Sequence, residues 1–387
     1  VPLDDLAGLG DRATVEAEAR RRAGAEANRP FDLAAGPVVR FRLLRLADDE
    51  HVLLITVHHI AADGWSANVL RRELAALYGA FARGEPSPLA PLPVQYADYA
   101  AWQRRWLAGE RLDAHLEHWR RRLAGAPPAL ELPADHPRPS RPSYRGAIER
   151  FELPAALVSA LRALGRARRA TLYMALLAGF DVLVGRAAGT DDVVVGGTAA
   201  GRPRAELEDL VGLFVNPVAL RTDLSGNPRF VDVLDRVRLT VLDAFEHEAA
   251  PFDAVVERLN PVRDLSRHPV FQVAFELQEH VPLPSELGGG VTCVDVGGPS
   301  GAEYGAMDGG GVAARLDLEV FLAEAEDGSL AGTLVYAADQ FEPPTMARLA
   351  RDYRAVLEAA VADPRRRISG LARDAGRSRP HGASAAV

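Results

Sequence analysis

The chain has a single cysteine, Cys293, in 387 residues. That excludes an internal disulfide and any cysteine-based metal cluster. Lysine is absent: all 45 residues in the Lys+Arg count are arginine, the usage expected of a GC-rich coding sequence. Positive charge is not in excess either, and the net charge of −8 argues against a nucleic-acid surface. No apolar run reaches eighteen residues, so no membrane-spanning helix is expected, and the start shows no signal-peptide pattern. A cytoplasmic location is the default. What is present is ordinary for a globular protein: 48% hydrophobic and 25% charged residues, in a length sufficient for two domains with substantial cores. The first residues, Val1-Pro2, lack an initiating methionine and read as the start of an excised piece.

The most informative segment is His58-His59-Ile60-Ala61-Ala62-Asp63-Gly64, directly after the apolar run Val52 to Val57. A β-branched run ending in two histidines reads as a strand delivering imidazoles to a loop. Ser66 is placed to cap a helix whose apolar positions Val69, Leu70, Leu74, Leu77, Tyr78 and Phe81 follow the 3.6 period, with Gly84 as a stop. The segment therefore belongs on a strand–loop–helix corner, where side chains are held firmly and still face a cavity.

Around it, 11–29 reads as an exposed helix, and strands at 38–46 and 51–57 form a hairpin through Asp48-Asp49. Helices follow at 66–83 and 95–124. The aromatic stripe of the second (Tyr96, Tyr99, Trp102, Trp106, Trp119) reads as core in preference to a ligand site. Six prolines in 125–145 mark an extended connector and the boundary between residues 1–135 and 136–370. Beyond it come a strand at 146–153, helices at 154–169 and 171–186, a strand at 192–197, a helix at 230–248 and a strand at 271–277. The glycine-rich stretch 284–312 reads as a mobile loop. A hairpin over 315–337 turns at Asp327-Gly328, a helix spans 343–361, and 371–387 reads as linker or disordered tail. The class is α/β or α+β with two lobes.

These motifs, in this order, resemble a condensation domain of a nonribosomal peptide synthetase, in the chloramphenicol-acetyltransferase-like superfamily. His58 to Gly64 matches the family's HHxxxDG signature. Tyr96 to Gln103 matches YxDYAxWQ, and Val211 to Asn216 matches GxFVN. His247 to Phe252 resembles the element ending in Pro-Phe, Arg263 to Val270 resembles RDxSRNP, and Arg315 to Leu318 resembles KFDL. Glu248 and Ala249 stand where Gln-Asp is usual, Pro217 where Thr is usual and His268 where Asn is usual. The family's earlier motifs, including RHExLRTxF, have no match, so the chain reads as N-terminally truncated, without part of the first lobe's sheet. The resemblance implies two lobes in a V, with the active site at their interface.

The resemblance also implies a reaction: an acceptor amine attacks a donor thioester, both carried on the phosphopantetheine arms of carrier proteins. Histidine suits the handling of that amine's proton. His59 is the candidate, as base or as orienting group. His58 is expected to point the opposite way, into packing, as adjacent strand residues do. Asp63 resembles a structural carboxylate paired with an arginine, in preference to a catalytic acid. Gly64 permits a tight turn and offers its N–H to the developing oxyanion; Trp65 and Ser66 launch the helix beside the substrate. Arg263, Asp264 and Arg267 resemble an element at the floor of the substrate tunnel, with a surface ion-pair network as the equal alternative. Asn216 is expected to brace the lobe interface.

No metal is expected, since adjacent histidines lack zinc-site spacing, and no G-x-S-x-G elbow suggests a serine hydrolase. No cofactor belongs to the domain itself. The partners implied are donor and acceptor peptidyl carrier proteins docking at both mouths of a tunnel, with 284–312 beside it, and an adenylation domain in the same assembly line. Nucleic acid and membrane are not expected partners. The motif favours the type joining an L-donor to an L-acceptor. Two alternatives stand: a non-catalytic module that recruits partners, usually with a degraded HHxxxDG, and a stand-alone acyltransferase of the same fold.

Overall fold

The structure is a computed structural model that describes residues 1–260, 264–278, 286–288, 290–293 and 312–371. Arg263, most of the stretch 284–312 and the tail after Leu371 lie outside the described residues.

The first body is a three-stranded sheet with one helix on it. Strand β1 (Leu3–Asp5) is followed by α1 (Arg12–Ala27), β2 (Val39–Arg45) and β3 (His51–Val57). β2 and β3 pair antiparallel from Val39↔Val57 to Arg45↔His51, and β1 joins β2 in parallel. One face carries Leu44, Leu46, Val52 and Leu54, which close a small core with Leu6, Val15 and Ala19. The other face leaves Phe41, Leu53 and Ile55 about two-fifths exposed, at 43%, 40% and 41%. The helix after β3, α2 (Gly64–Ala82), starts earlier than the sequence suggests. Its cap is Asp63, whose carboxylate accepts from the Ser66 N–H, and not Ser66 itself.

The long helix expected over 95–124 is two helices, α3 (Tyr96–Trp106) and α4 (Glu110–Arg122). The break falls at Gly109, whose φ of +64° lies in the left-handed region that favours glycine. The halves serve different cores. Tyr99 of α3 packs with Leu207, Leu210 and Phe214, whereas Leu116 and Trp119 of α4 enter the large core that follows.

That core is built on a seven-stranded mixed sheet. In chain order its parts are β4 (Arg145–Leu153), α5 (Ala155–Ala167), α6 (Leu172–Ala188), β5 (Asp192–Ala199), β6 (Asn216–Asp223), α7 (Phe230–Glu246), α8 (Phe252–Leu259) and β7 (Val273–Gln278). After a short hairpin of β8 (Glu286–Gly288) and β9 (Val291–Thr292) come β10 (Val312–Ala313), β11 (Leu318–Glu324), β12 (Leu330–Ala337), α9 (Pro343–Ala362) and α10 (Ile368–Leu371). The strand order is β10-β4-β12-β11-β7-β5-β6. β11 and β12 form the expected hairpin, with Glu324↔Leu330 as the closing pair.

Helix α6 packs against α5, α7 and α9, and every residue from Met174 to Gly185 is buried. One of them is Asp181, fully buried, with no hydrogen-bond partner at either carboxylate oxygen among the described residues. Burial pushes its pKa up to about 8, with the neighbouring Thr222 hydroxyl pulling the other way. Among the described residues no single helix is long and apolar enough to cross a membrane; α5 and α6 reach that length only as a pair bent by 102°.

Candidate active site

The site is assembled where the β3–α2 corner meets the loop 200–215 that links β5 to β6. β3 ends at Val57, so the two histidines sit in a turn and not on the strand itself. Strand alternation therefore does not separate them, as the sequence suggested; the turn does. It is closed by the Ala61 N–H donating to the His58 carbonyl at 2.9 Å. The His58 backbone N–H still continues the ladder, donating to the Val38 carbonyl at 2.9 Å. Its ring is partly buried, edge-on to Phe31 at 5.6 Å, and Nδ1 accepts from the Ile60 N–H at 3.0 Å. His58 is thus used up in packing the turn.

His59 is exposed, and its Nδ1 lies 2.8 Å from the Ala62 carbonyl oxygen. A carbonyl only accepts, so Nδ1 must carry the proton. In the neutral ring Nε2 is then left with a lone pair. One backbone oxygen fixes both the tautomer and the direction of the free nitrogen.

Asp63 lies beneath this turn with its side chain at 0% exposure, against Arg202 at 1%. Its Oδ1 accepts from the Ser66 N–H at 2.8 Å, the Ser66 hydroxyl at 2.7 Å and Arg202 Nη2 at 2.9 Å; Oδ2 accepts from the Phe214 N–H at 2.9 Å. Burial raises the pKa of this carboxyl. The bonds from Phe214 and Ser66 and the Arg202 charge outweigh that effect and hold it below the ordinary carboxylate value. A buried anion tied by four donors has no proton to trade, so the arrangement suits a strut and not an acid.

The family resemblance implies an arginine partner for Asp63 but does not say that it is Arg202. This residue also donates to the Leu207 and Leu210 carbonyls at 3.0 and 3.2 Å and lies 3.8 Å over the Phe214 ring. The signal that could have found it is the Gly201-Arg202-Pro203 break after a buried strand. Gly201 has φ +66°, and a Cβ there would stand 2.0 Å from the Phe214 carbonyl oxygen, so the loop folds back only with glycine.

Neighbouring residues continue the seam. Trp65 Nε1–H donates to the Glu208 carbonyl at 2.8 Å, and the Ser66 hydroxyl accepts from the Gly212 N–H at 3.1 Å. Gly64 is the exposed first residue of α2. From the far side the α3 motif clamps the same loop: Tyr96 OH donates to the Leu213 carbonyl at 2.7 Å, and Tyr96 and Tyr99 set their rings against Phe214 at 5.1 and 4.7 Å. The front of the aromatic stripe is core, as its spacing suggested.

Asn216 stands apart from this cluster. Its amide donates to the Glu248 and Ala250 carbonyls at 2.8 and 2.6 Å and accepts from the Phe252 N–H at 3.1 Å, joining the start of β6 to the start of α8. Asp264 accepts from the Ser266 N–H at 2.8 Å and pairs with Arg267 Nε at 2.8 Å, while Arg267 also pairs with Glu131. Among the described residues neither joins the Asp63 cluster. A buried bidentate pair of Arg138 with Asp317, supported by Gln340, has no counterpart in the sequence reading.

Comparison with known proteins agrees with this construction. The sequence model of the family described as "Condensation domain" matches residues 8–374. A linear gramicidin synthase of Brevibacillus parabrevis is 43% identical over 356 residues, 92% of this chain and 4% of that protein. Chondramide synthase cmdD of Chondromyces crocatus is 42% identical over 371 residues, 96% of this chain and 9% of that protein. The chain thus spans less than a tenth of these relatives. Among solved structures, the X-domain from teicoplanin biosynthesis is 34% identical with a TM-score of 0.76, covering 92% of this chain and 78% of that one. A four-domain nonribosomal peptide synthetase, holo-AB3403, shares the fold at a TM-score of 0.80 and 24% identity, over 95% of this chain and 28% of that one. With its two-histidine turn locked to the loop 200–215 by Asp63 and Arg202, and with this match over nearly its whole length, the chain belongs to the condensation-domain family.

Proposed function

We propose that this chain forms the amide bond between a donor acyl or peptidyl thioester and the amine of an acceptor aminoacyl thioester, joining an L-donor to an L-acceptor. The observation that carries this reading is His59, whose Nδ1 is committed to Ala62 while Nε2 is left free on an exposed ring. The acceptor nitrogen adds to the thioester carbonyl, and the carbonyl π pair moves to oxygen. Collapse of the adduct re-forms the carbonyl and breaks the C–S bond. The proton lost by nitrogen passes to Nε2 and from there to the departing sulfur. In the alternative role Nε2 only accepts a hydrogen bond and aims the amine.

Gly64 is assigned to the oxyanion, because the first N–H groups of a helix have no intrahelical partner. Asp63, Trp65 and Ser66 hold the corner against the loop, and His58 packs the turn. Asn216, Asp264 and Arg267 support the substrate side as braces. The two substrates arrive on phosphopantetheine arms of donor and acceptor carrier proteins, with an adenylation domain in the same assembly, in the cytoplasm. No cofactor resident in the domain is assigned.

The test is intact-protein mass spectrometry of the acceptor carrier after mixing loaded donor and acceptor carriers with this chain. Product is expected. His59→Ala should lower its rate by about 10²–10⁴ if Nε2 is the base, and by less if it positions the amine. A folded chain giving no product across several substrate pairs would favour a second reading, a partner-recruiting module. That reading is supported by the 34% identity to the teicoplanin X-domain, whose structure is also known in complex with OxyB.

A further inference from the structure

A second group of histidines lies outside this site. His115 and His118 are three residues apart on α4; Asp243 and His247 are four apart on the last turn of α7 and its cap. Helical spacings of three and four put each pair on one face. The two faces meet. His118 Nε2 is 3.3 Å from Asp243 Oδ2, and His115 Nδ1 is 3.0 Å from His247 Nδ1. One ligand atom from each of His118, Asp243 and His247 lies within 4.8 Å of the others.

From this geometry we propose that His118, Asp243 and His247, with His115 behind them, form a site for one divalent transition-metal ion, Zn2+ by its ligand set. A tetrahedral zinc with ligands at about 2.0–2.1 Å needs its ligand atoms about 3.3 Å apart, close to the His118–Asp243 spacing. His118 Nε2 is buried and, despite its nearness to Asp243, makes no hydrogen bond of ordinary geometry among the described residues. Its ring stacks on that of His247, with centroids at 3.6 Å and planes 12° apart. The two rings must therefore turn out of parallel for their lone pairs to converge.

His115 supplies the orienting bond that metal-ligating histidines use on their second nitrogen. Bonded to His247 Nδ1, it leaves Nε2 of His247 for the ion. The Trp119 indole N–H fixes the same residue through its carbonyl at 3.2 Å. Asp243 is 39% exposed and provides the path from solvent, while Arg122 Nε at 3.5 Å competes for its carboxylate. The ion would tie α4 to the end of α7, immediately before the Glu248 and Ala250 carbonyls that Asn216 holds.

The whole chain should be titrated with Zn2+ by calorimetry and with Co2+ by visible absorption. One ion per chain and the band of tetrahedral Co2+ are expected. His118→Ala and Asp243→Asn should each weaken binding at least tenfold with unchanged circular dichroism, and His115→Ala should weaken it less. His59→Ala should bind as the parent does. The proposal is overturned if the parent binds neither metal, if binding survives both His118→Ala and Asp243→Asn, or if it depends on His59.

Discussion

The two sheets draw on the same residue types and are finished differently. In the seven-stranded sheet β5 and β11 are covered on both faces: Val193 to Val195 and Leu318 to Ala323 are all buried, and these runs are apolar except for Glu319. In the three-stranded sheet β3 alternates, and among the described residues only one face is covered, by α1. Its rim is held by Arg42 and Arg22 on Asp4 and by Arg40 on Glu26. The partly exposed Asp4 pairs contribute up to about 1 kcal/mol each, whereas Arg40 and Glu26 are largely buried. The large sheet therefore stands on its own packing. The small one depends on its anchorage, and Asp63 with Arg202 is a buried part of that anchorage.

The largest effect should come from the large core. Phe275→Ala removes a fully buried ring that packs on Phe180, Tyr173 and Tyr353 and should cost about 3–5 kcal/mol. Leu44→Ala, in the small core, should fall near the lower end of the range for such changes, about 2–3 kcal/mol. Urea midpoints compare the two, and equal losses would erase the contrast between the sheets.

Next is the anchorage. Arg202→Met leaves Asp63 buried without its cation and should cost about 3 kcal/mol. The pH response should change with it. A carboxyl held low in the folded state contributes stability above the ordinary value near pH 4, and that contribution is lost as pH falls through the folded value. The parent should thus weaken below about pH 4 through Asp63, and Arg202→Met should flatten that branch in urea melts taken from pH 7 down to about pH 2. Smallest is the open face. Ile55→Thr keeps a β-branched residue and should shift stability by no more than about 0.5 kcal/mol. A loss above about 2 kcal/mol would show that this face is covered in solution.

The parts legible in the sequence are those whose cause is local. The hairpin over 38–57, the helix after Asp63, the hairpin at Asp327-Gly328 and the pair of histidines each depend on neighbours a few residues away. β1 is invisible because three residues carry no period. β6 begins with Asn216-Pro217, and proline speaks against a strand; it is tolerated because β6 is the sheet's edge. The helix break at Gly109 is hidden by a continuous aromatic pattern whose halves face different cores. Arg202 reaches Asp63 across 139 residues, and no spacing rule spans that distance. The histidine–aspartate group needs α4 and α7 to be brought together first.

Asp181 and Asp63 are both buried, and burial leaves them in opposite protonation states. Asp63 is held as the anion by its donors, whereas Asp181, pushed up to about 8 by burial, keeps its proton at neutral pH. An unfolded aspartate near pH 7 has none. At Asp181, folding therefore takes up a hydrogen ion near neutral pH, and through this one group the equilibrium is drawn toward the native state as pH is lowered from about 8 toward 4.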